Sequence, residues 1–394
     1  MNMSQVKTNT YQEKMNTYRA KAETFQTKPH YEILDGLRGV AALMVLVFHV
    51  FDACQANVLP HGYLAVDFFF VLSGFVIGYA YDDRWERGLT VGGFLRRRLI
   101  RLHPMVVCGA LVGCACFLAA GGVRWDGTSV PIGWTMLALL GMLFMIPALP
   151  GWPTEVRGFG EYFPLNGPYW SLFYEYIGNV LYALLLRRLS CRWLGAIAFV
   201  SGCFVVHAAT GLGYLGVGWS AGDGGWWQGL VRMLFPYSMG MLMARRFRPV
   251  GVRGAFWWCS LVVLGVGLLP VVGGDEAPWM NGLLDSAVVI MLFPALVWLA
   301  ASDVDTSERA SRVSRWLGDL SYPLYAVHYP FMSLLFFHLA FNGELLPMQT
   351  VFDHWEMAVV PLVAGPVLAW VLMKYYDKPL RRWLTARFNR DFAG

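Results

Sequence analysis

The stretch LDGLRGVAALMVLVFH, residues 34–49, decides how the chain is read. Apart from Asp35 it is apolar except at two basic positions, Arg38 near its start and His49 at its end. A helix that crosses a bilayer needs about 20 predominantly apolar residues, and this run with its flanks reaches that length. Along a helix rising 1.5 Å per residue, Arg38 and His49 stand roughly 16 Å apart. An ionisable side chain at membrane depth is costly and by default marks a functional site. The next apolar run, VDFFFVLSGFVIG at 66–78, follows the short loop 54–61. The two runs are therefore expected to form an antiparallel hairpin with His49 and Asp67 at similar depth on either side of the turn. A carboxylate beside an imidazole orients the ring, fixes its tautomer and raises its basicity, which suits it to take a proton from a hydroxyl. The structural alternative, a histidine that only satisfies a backbone carbonyl, stands beside that reading.

Composition supports a membrane class. The 394 residues are 57% hydrophobic and 14% charged, with a mean hydropathy of +0.46. A soluble domain carries roughly 25% charged residues. The net charge of +5 sits mainly at the ends of apolar segments, so topology accounts for it and a nucleic-acid partner is not expected. The seven cysteines fall in or beside apolar runs without zinc-ligand spacing, and Asp82 and Asp83 have no companions at ligand spacing, so no metal is expected. Residues 1–31 read as a polar cytosolic tail, 32–384 as one transmembrane domain and 385–394 as a short cytosolic tail.

Apolar stretches recur at 37–53, 63–81, 102–120, 132–149, 169–186, 194–212, 229–244, 254–273, 282–300, 318–341 and 356–373. Lys and Arg cluster in 1–38, 84–101, 187–192, 245–253, 309–315 and 374–390. If every stretch crossed, the basic loops after 187 would fall outside, against the positive-inside rule. Letting 132–149 dip in and return restores the rule, and Pro131, Pro147, Pro150 and Pro153 permit it. The expected fold is thus an all-α integral membrane protein of about ten spanning helices plus one re-entrant or interfacial segment at 132–149, both ends cytosolic.

Two further motifs carry charge. FLRRRLIRLHP at 94–104 opens a helix at the cytosolic face, with Arg97, Arg98 and Arg101 three and four residues apart and so neighbours. Guanidinium groups bind phosphates bidentately, although topology and lipid headgroups also account for such a cluster. WSLFYE at 170–175 places Glu175 below the opposite interface. Arg232 and Asp285 are further intramembrane charges that can pair or line a cavity, and His328 is a core histidine or a site residue.

Together these runs resemble the membrane-bound acyltransferase family 3, the O-acetylases of surface polysaccharides and related glycans. The resemblance extends in order through LGDLSYPLYAVHYP at 317–330 and YYDKPLRRWL at 375–384. It implies that His49 is essential to transfer, and that Arg97, Arg98 and Arg101 engage the phosphates of an acyl-CoA donor, by default acetyl-CoA. Arg38, Asp67, Ser73, Trp170 and Glu175 fall on other recurrent family positions. The expected reaction moves an acyl group to a hydroxyl of an exported or lipid-linked glycan. His49, oriented by Asp67 or Glu175, either deprotonates that hydroxyl or briefly carries the acyl group, and Arg38, Ser73, Trp170 and Arg232 line the substrate. The competing reading is a transporter or flippase of a lipid-linked sugar that does no acyl chemistry.

Overall fold

The computed structural model describes residues 30–53, 58–124, 126–222, 225–331, 334 and 355–390. Contacts divide the chain between Tyr31 and Glu32, and everything below concerns the unit that begins at Glu32. The expected polar tail lies almost wholly outside the described residues.

The described unit is helical, with one short pair of parallel strands, β1 (Val252–Arg253) and β2 (Asp303–Asp305). In chain order the helices are α1 (Glu32–Ala53), α2 (Ala65–Tyr81), α3 (Val91–Ala119), α4 (Ile132–Leu143), α5 (Tyr169–Leu184), α6 (Cys191–Leu212), α7 (Trp226–Arg246) and α8 (Ala255–Gly267). There follow α9 (Trp279–Ala287), α10 (Phe293–Ala301), α11 (Glu308–Val327), α12 (Trp355–Leu372) and α13 (Lys378–Arg390). A π-helical turn at Val288–Leu292 joins α9 to α10, and another at Met373–Asp377 joins α12 to α13.

Among the described residues six helical stretches are long and apolar enough to cross a membrane: Glu32–Asp52, Gly62–Arg84, Val91–Ala119, Cys191–Leu212, Trp279–Ala301 and Ala358–Phe388. The expected ten are therefore not all distinguished by length and apolarity. The reason lies in what the remaining helices carry. Helices α7 and α11 are long, at 21 and 20 residues, but carry buried polar side chains, Gln228, Arg232 and Ser238 in α7 and Ser314 and Ser321 in α11. Helix α4 has 12 residues, about 18 Å, too short for a hydrocarbon core of roughly 30 Å. The chain leaves it through Met145, in the left-handed region at φ 54°, and continues without helix to Tyr169. The helix at the stretch expected over 318–341 begins earlier, α11 starting at Glu308 with the Ser307 hydroxyl accepting from the Ala310 amide. Residues 335–354 lie outside the described residues. Helix α13 runs on through 385–390, the described part of the expected C-terminal tail.

Two seams of small residues set the packing. Helix α1 runs parallel to α11: a side chain at Gly36 would strike Ser314, one at Gly39 the Leu317 carbonyl 2.5 Å away, and one at Gly318 would strike Asp35. Helix α2 runs parallel to α7, with Gly74 against the Tyr237 carbonyl and Gly240 against that of Val71. Without a hydrophobic drive between helices in lipid, such close backbone approach is what holds them. The α1–α2 hairpin is as expected, with Phe48 packed on Gly62 and on the Tyr63 ring at 5.9 Å.

Candidate active site

The parallel seam between α1 and α11 brings His49 level with His328, which caps the C-terminus of α11. The His49 Nδ1 lies 3.0 Å from the His328 Nε2. His49 is half-buried and His328 fully buried. The His49 ring packs edge-on to Tyr329 and tilted against Phe48, each at a centroid distance of 5.1 Å. On its far side the His328 Nδ1 approaches the carbonyls of Leu324 and Tyr325 at 3.1 and 3.0 Å. The segment around His328 is tied to the connection before α5. Asn166 donates to the Ala326 carbonyl at 2.9 Å, and the hydroxyls of Ser171 and Tyr325 are 2.5 Å apart.

The intramembrane carboxylates are engaged elsewhere. Asp67 is fully buried and takes both oxygens to Arg232, at 2.6 and 3.2 Å. Arg232 also donates to the Val217 carbonyl at 2.6 Å and stands over the Trp170 ring at 4.9 Å. Glu175 accepts from Arg98 at 2.7 Å and from the Ser73 hydroxyl at 3.2 Å, while Arg98 also donates to Asn179 at 2.8 Å. The expectation that Asp67 or Glu175 orients His49 is thus corrected. Each carboxylate neutralises a buried guanidinium, and the neighbour that bonds the His49 ring is a second imidazole. A buried charge left alone is far more costly than a paired one, which explains why arginine took both carboxylates. Arg232, Trp170 and Ser73, expected to line the substrate, belong to these two internal networks.

At the opposite end of α1 the arginines separate by role. Residues 97 and 98 are 100° apart on a helix, so Arg97 is exposed while Arg98 is buried on Glu175. Arg98 is therefore turned inward, which corrects its assignment to donor phosphate. Arg101 sits partly buried within electrostatic reach of Arg38, Arg98 and Arg381, with Asp35 and Asp377 as the nearby acids. Arg38 donates to the Ser321 hydroxyl at 2.9 Å and to the Gly318 carbonyl at 3.2 Å, and pairs with Asp35 at 3.1 Å. Arg381 pairs with Asp377 at 2.5 Å. The structure thus adds Arg381, from α13, to a basic end that sequence spacing assigned to one motif.

A third buried network was half legible. Asp285 accepts from the Tyr63 hydroxyl at 2.7 Å and from the Leu215 amide at 2.8 Å, and lies 2.7 Å from the His61 Nδ1. Asp285 stood out in sequence as an intramembrane charge. His61 and Tyr63 did not, because His61 precedes the second apolar stretch and Tyr63 is its uncharged first residue. Among the described residues no group of three or more His, Cys, Asp or Glu is placed to hold a metal ion.

The chain is similar to "Acyltransferase MdmB" of Streptomyces mycarofaciens, with 30% identity over 90% of this chain and 92% of that protein. It is also similar to "Protein 2 in picA locus" of Rhizobium radiobacter, with 34% identity over 45% of this chain and 93% of that protein. No solved structure matches. The model of the acyltransferase domain of family 3 matches residues 31–375, from the residue before α1 into the turn before α13. With a helical, apolar architecture and a paired imidazole on its first helix, the chain belongs to acyltransferase family 3 and is a membrane acyltransferase.

Proposed function

We propose that the chain transfers a small acyl group, acetyl by default, from acyl-CoA at the cytosolic face of a bacterial inner membrane to a hydroxyl of an exported or lipid-linked glycan on the other side. The single observation that carries this reading is a sorting of the buried ionisable groups. Asp67, Glu175, Arg98 and Arg232 neutralise one another in pairs, whereas the His49 ring meets no charged group among the described residues and bonds a second imidazole and the Val45 carbonyl. An imidazole is the side chain whose unperturbed titration falls nearest neutral pH, so it is the group suited to accept and return a proton there.

The chemistry balances on that group. The acceptor hydroxyl gives its proton to His49 as its oxygen bonds the acyl carbon; the carbon–sulfur bond breaks, and the departing thiolate takes the proton from His49 to leave as free CoA. At the other end of α1, Arg101, Arg38, Arg381 and the exposed Arg97 form a basic surface suited to the phosphates of CoA. The roughly 16 Å between Arg38 and His49 is a distance that an extended pantetheine arm spans. The positive-inside distribution supports ten spans with α4 re-entrant and both ends cytosolic. The family match favours acyl chemistry over the flippase reading.

The test uses membranes containing the chain, radiolabelled acetyl-CoA, and glycolipid extract from cells in which the gene is deleted, which holds unacylated acceptor. His49→Ala should abolish labelling of the extract while the folded protein persists on size-exclusion chromatography. Full labelling by folded His49→Ala rejects the role of His49. No labelling by the unaltered chain rejects the donor–acceptor assignment.

A further inference from the structure

The two imidazoles at the junction of α1 and α11 have a defined order of protons. The His328 Nδ1 lies 3.1 Å from the Leu324 carbonyl and 3.0 Å from that of Tyr325. A carbonyl only accepts, so this nitrogen carries the hydrogen. His328 is fully buried, and among the described residues no carboxylate pairs with it, so its ring is neutral. A neutral ring protonated at Nδ1 has a lone pair at Nε2. The His49 Nδ1 is 3.0 Å from that lone pair and donates to it, with the Val45 carbonyl one turn back as a further acceptor for the ring. A neutral His49 held in this way presents its own lone pair at Nε2.

We propose that His328 is the positioning residue of the reaction: it fixes His49 in the Nδ1-protonated tautomer and turns the basic Nε2 toward the substrates. The assignment rests on the acyl-transfer reading above for its consequence, but the tautomer is a property of the resting protein. The relay is anchored by backbone. Two main-chain carbonyls hold His328, His328 holds His49, and Phe48 and Tyr329 flank the His49 ring. The hydrogen on Nδ1 stays on His49 throughout. Nε2 alone gains the acceptor's proton and loses it to the leaving thiolate. The imidazolium formed in between keeps its hydrogen bond to His328, which strengthens as the donor becomes charged. An imidazole serves here where a carboxylate is the common partner because it orients without adding a buried negative charge. In sequence this role could be sought only through the seam: Gly36, Gly39 and Gly318 set α1 and α11 in parallel, and that register decides which polar residues meet at its end.

The experiment is nitrogen NMR of the full chain, labelled with 15N at histidine, in detergent micelles, with His49 assigned by its loss in His49→Gln. The expected spectrum has His49 protonated at Nδ1 and unprotonated at Nε2. His328→Leu, which leaves the ring only the Val45 carbonyl as acceptor, should raise the Nε2-protonated share of His49. It should lower kcat for acetyl transfer at least 10-fold with the half-saturating acetyl-CoA concentration unchanged. His328→Gln, whose amide accepts and donates, should restore the tautomer and most of kcat. A wild-type spectrum with His49 protonated at Nε2 overturns the proposal without reference to any variant. So does a folded His328→Leu with wild-type tautomer and kcat. A correct tautomer in a chain that transfers nothing leaves the positioning geometry standing and rejects the acyl-transfer reading.

Discussion

Asp67→Ala separates the structural and catalytic readings of the carboxylate that sequence placed beside His49. The substitution removes two charge-assisted hydrogen bonds, at 2.6 and 3.2 Å, from an Arg232 that is 1% exposed. Hydrogen bonds to charged groups are worth about 1.5–3 kcal/mol each. Breaking a buried pair by deleting one partner costs about 3–5 kcal/mol, because the survivor stays buried and uncompensated. The Val217 carbonyl at 2.6 Å and the Trp170 ring still face the guanidinium, which offsets part of the loss. We expect a destabilisation of about 3–5 kcal/mol. The double variant Asp67→Leu with Arg232→Met removes both charges, so it should lose clearly less than the sum of Asp67→Ala and Arg232→Ala. Unfolding in micelles with a rising fraction of dodecyl sulfate, followed by tryptophan fluorescence, measures the stabilities, and acetyl transfer is assayed on the folded plateau. Transfer by folded Asp67→Ala should stay within a few-fold of wild type. An Asp67→Ala protein as stable as wild type but inactive would refute the structural assignment and return Asp67 to the chemistry.

Two further outcomes follow from other parts of the molecule. Arg101→Ala should raise the half-saturating acetyl-CoA concentration about 10-fold, with a smaller effect on acetyl-3′-dephospho-CoA; equal effects on both donors would remove the phosphate contact from Arg101. Glu161 lies in the connection between α4 and α5, where burial pushes its carboxyl up to about 7, against the pull of Arg157 and with a push from Glu155. Its folded form holds a proton that the unfolded chain has already released, so its contribution is full below the ordinary glutamate value and disappears as pH rises through about 7. Between pH 5 and 8 wild-type stability should therefore fall relative to Glu161→Gln, as read from unfolding midpoints; parallel profiles would show that the Glu161 carboxyl is not shifted.

How much was legible in sequence depended on the range of the interaction. Hydropathy and basic loops are local, so the α1–α2 hairpin, the long apolar helices and a shortened segment at α4 could be anticipated. The pairing of buried charges is not local. Asp67 meets Arg232 and Arg98 meets Glu175 across large sequence separations, set by which helices pack together, α2 with α7 in parallel and α3 with α5 antiparallel. Asp67 was nearer to His49 in sequence and was assigned to it, yet a nearby guanidinium competes far better for a carboxylate than a neutral imidazole does. The same competition removed Arg98 from the donor site. His328 was visible only as a buried histidine of open role, because its meaning depends on the register between α1 and α11. Helices α7 and α11 escaped an apolarity criterion for a related reason: segments surrounded by other helices can carry the polar residues that a lipid-facing segment cannot.

The central claim is that the acyl group enters at the basic end of α1 and leaves from the histidine end, on opposite sides of a membrane. Sealed membrane vesicles with the cytosolic face outward, given radiolabelled acetyl-CoA from outside, test it directly. Label is expected on glycan that a membrane-impermeant esterase removes only after detergent opens the vesicles. Label removed from intact vesicles, on the same side as the acetyl-CoA, would contradict it.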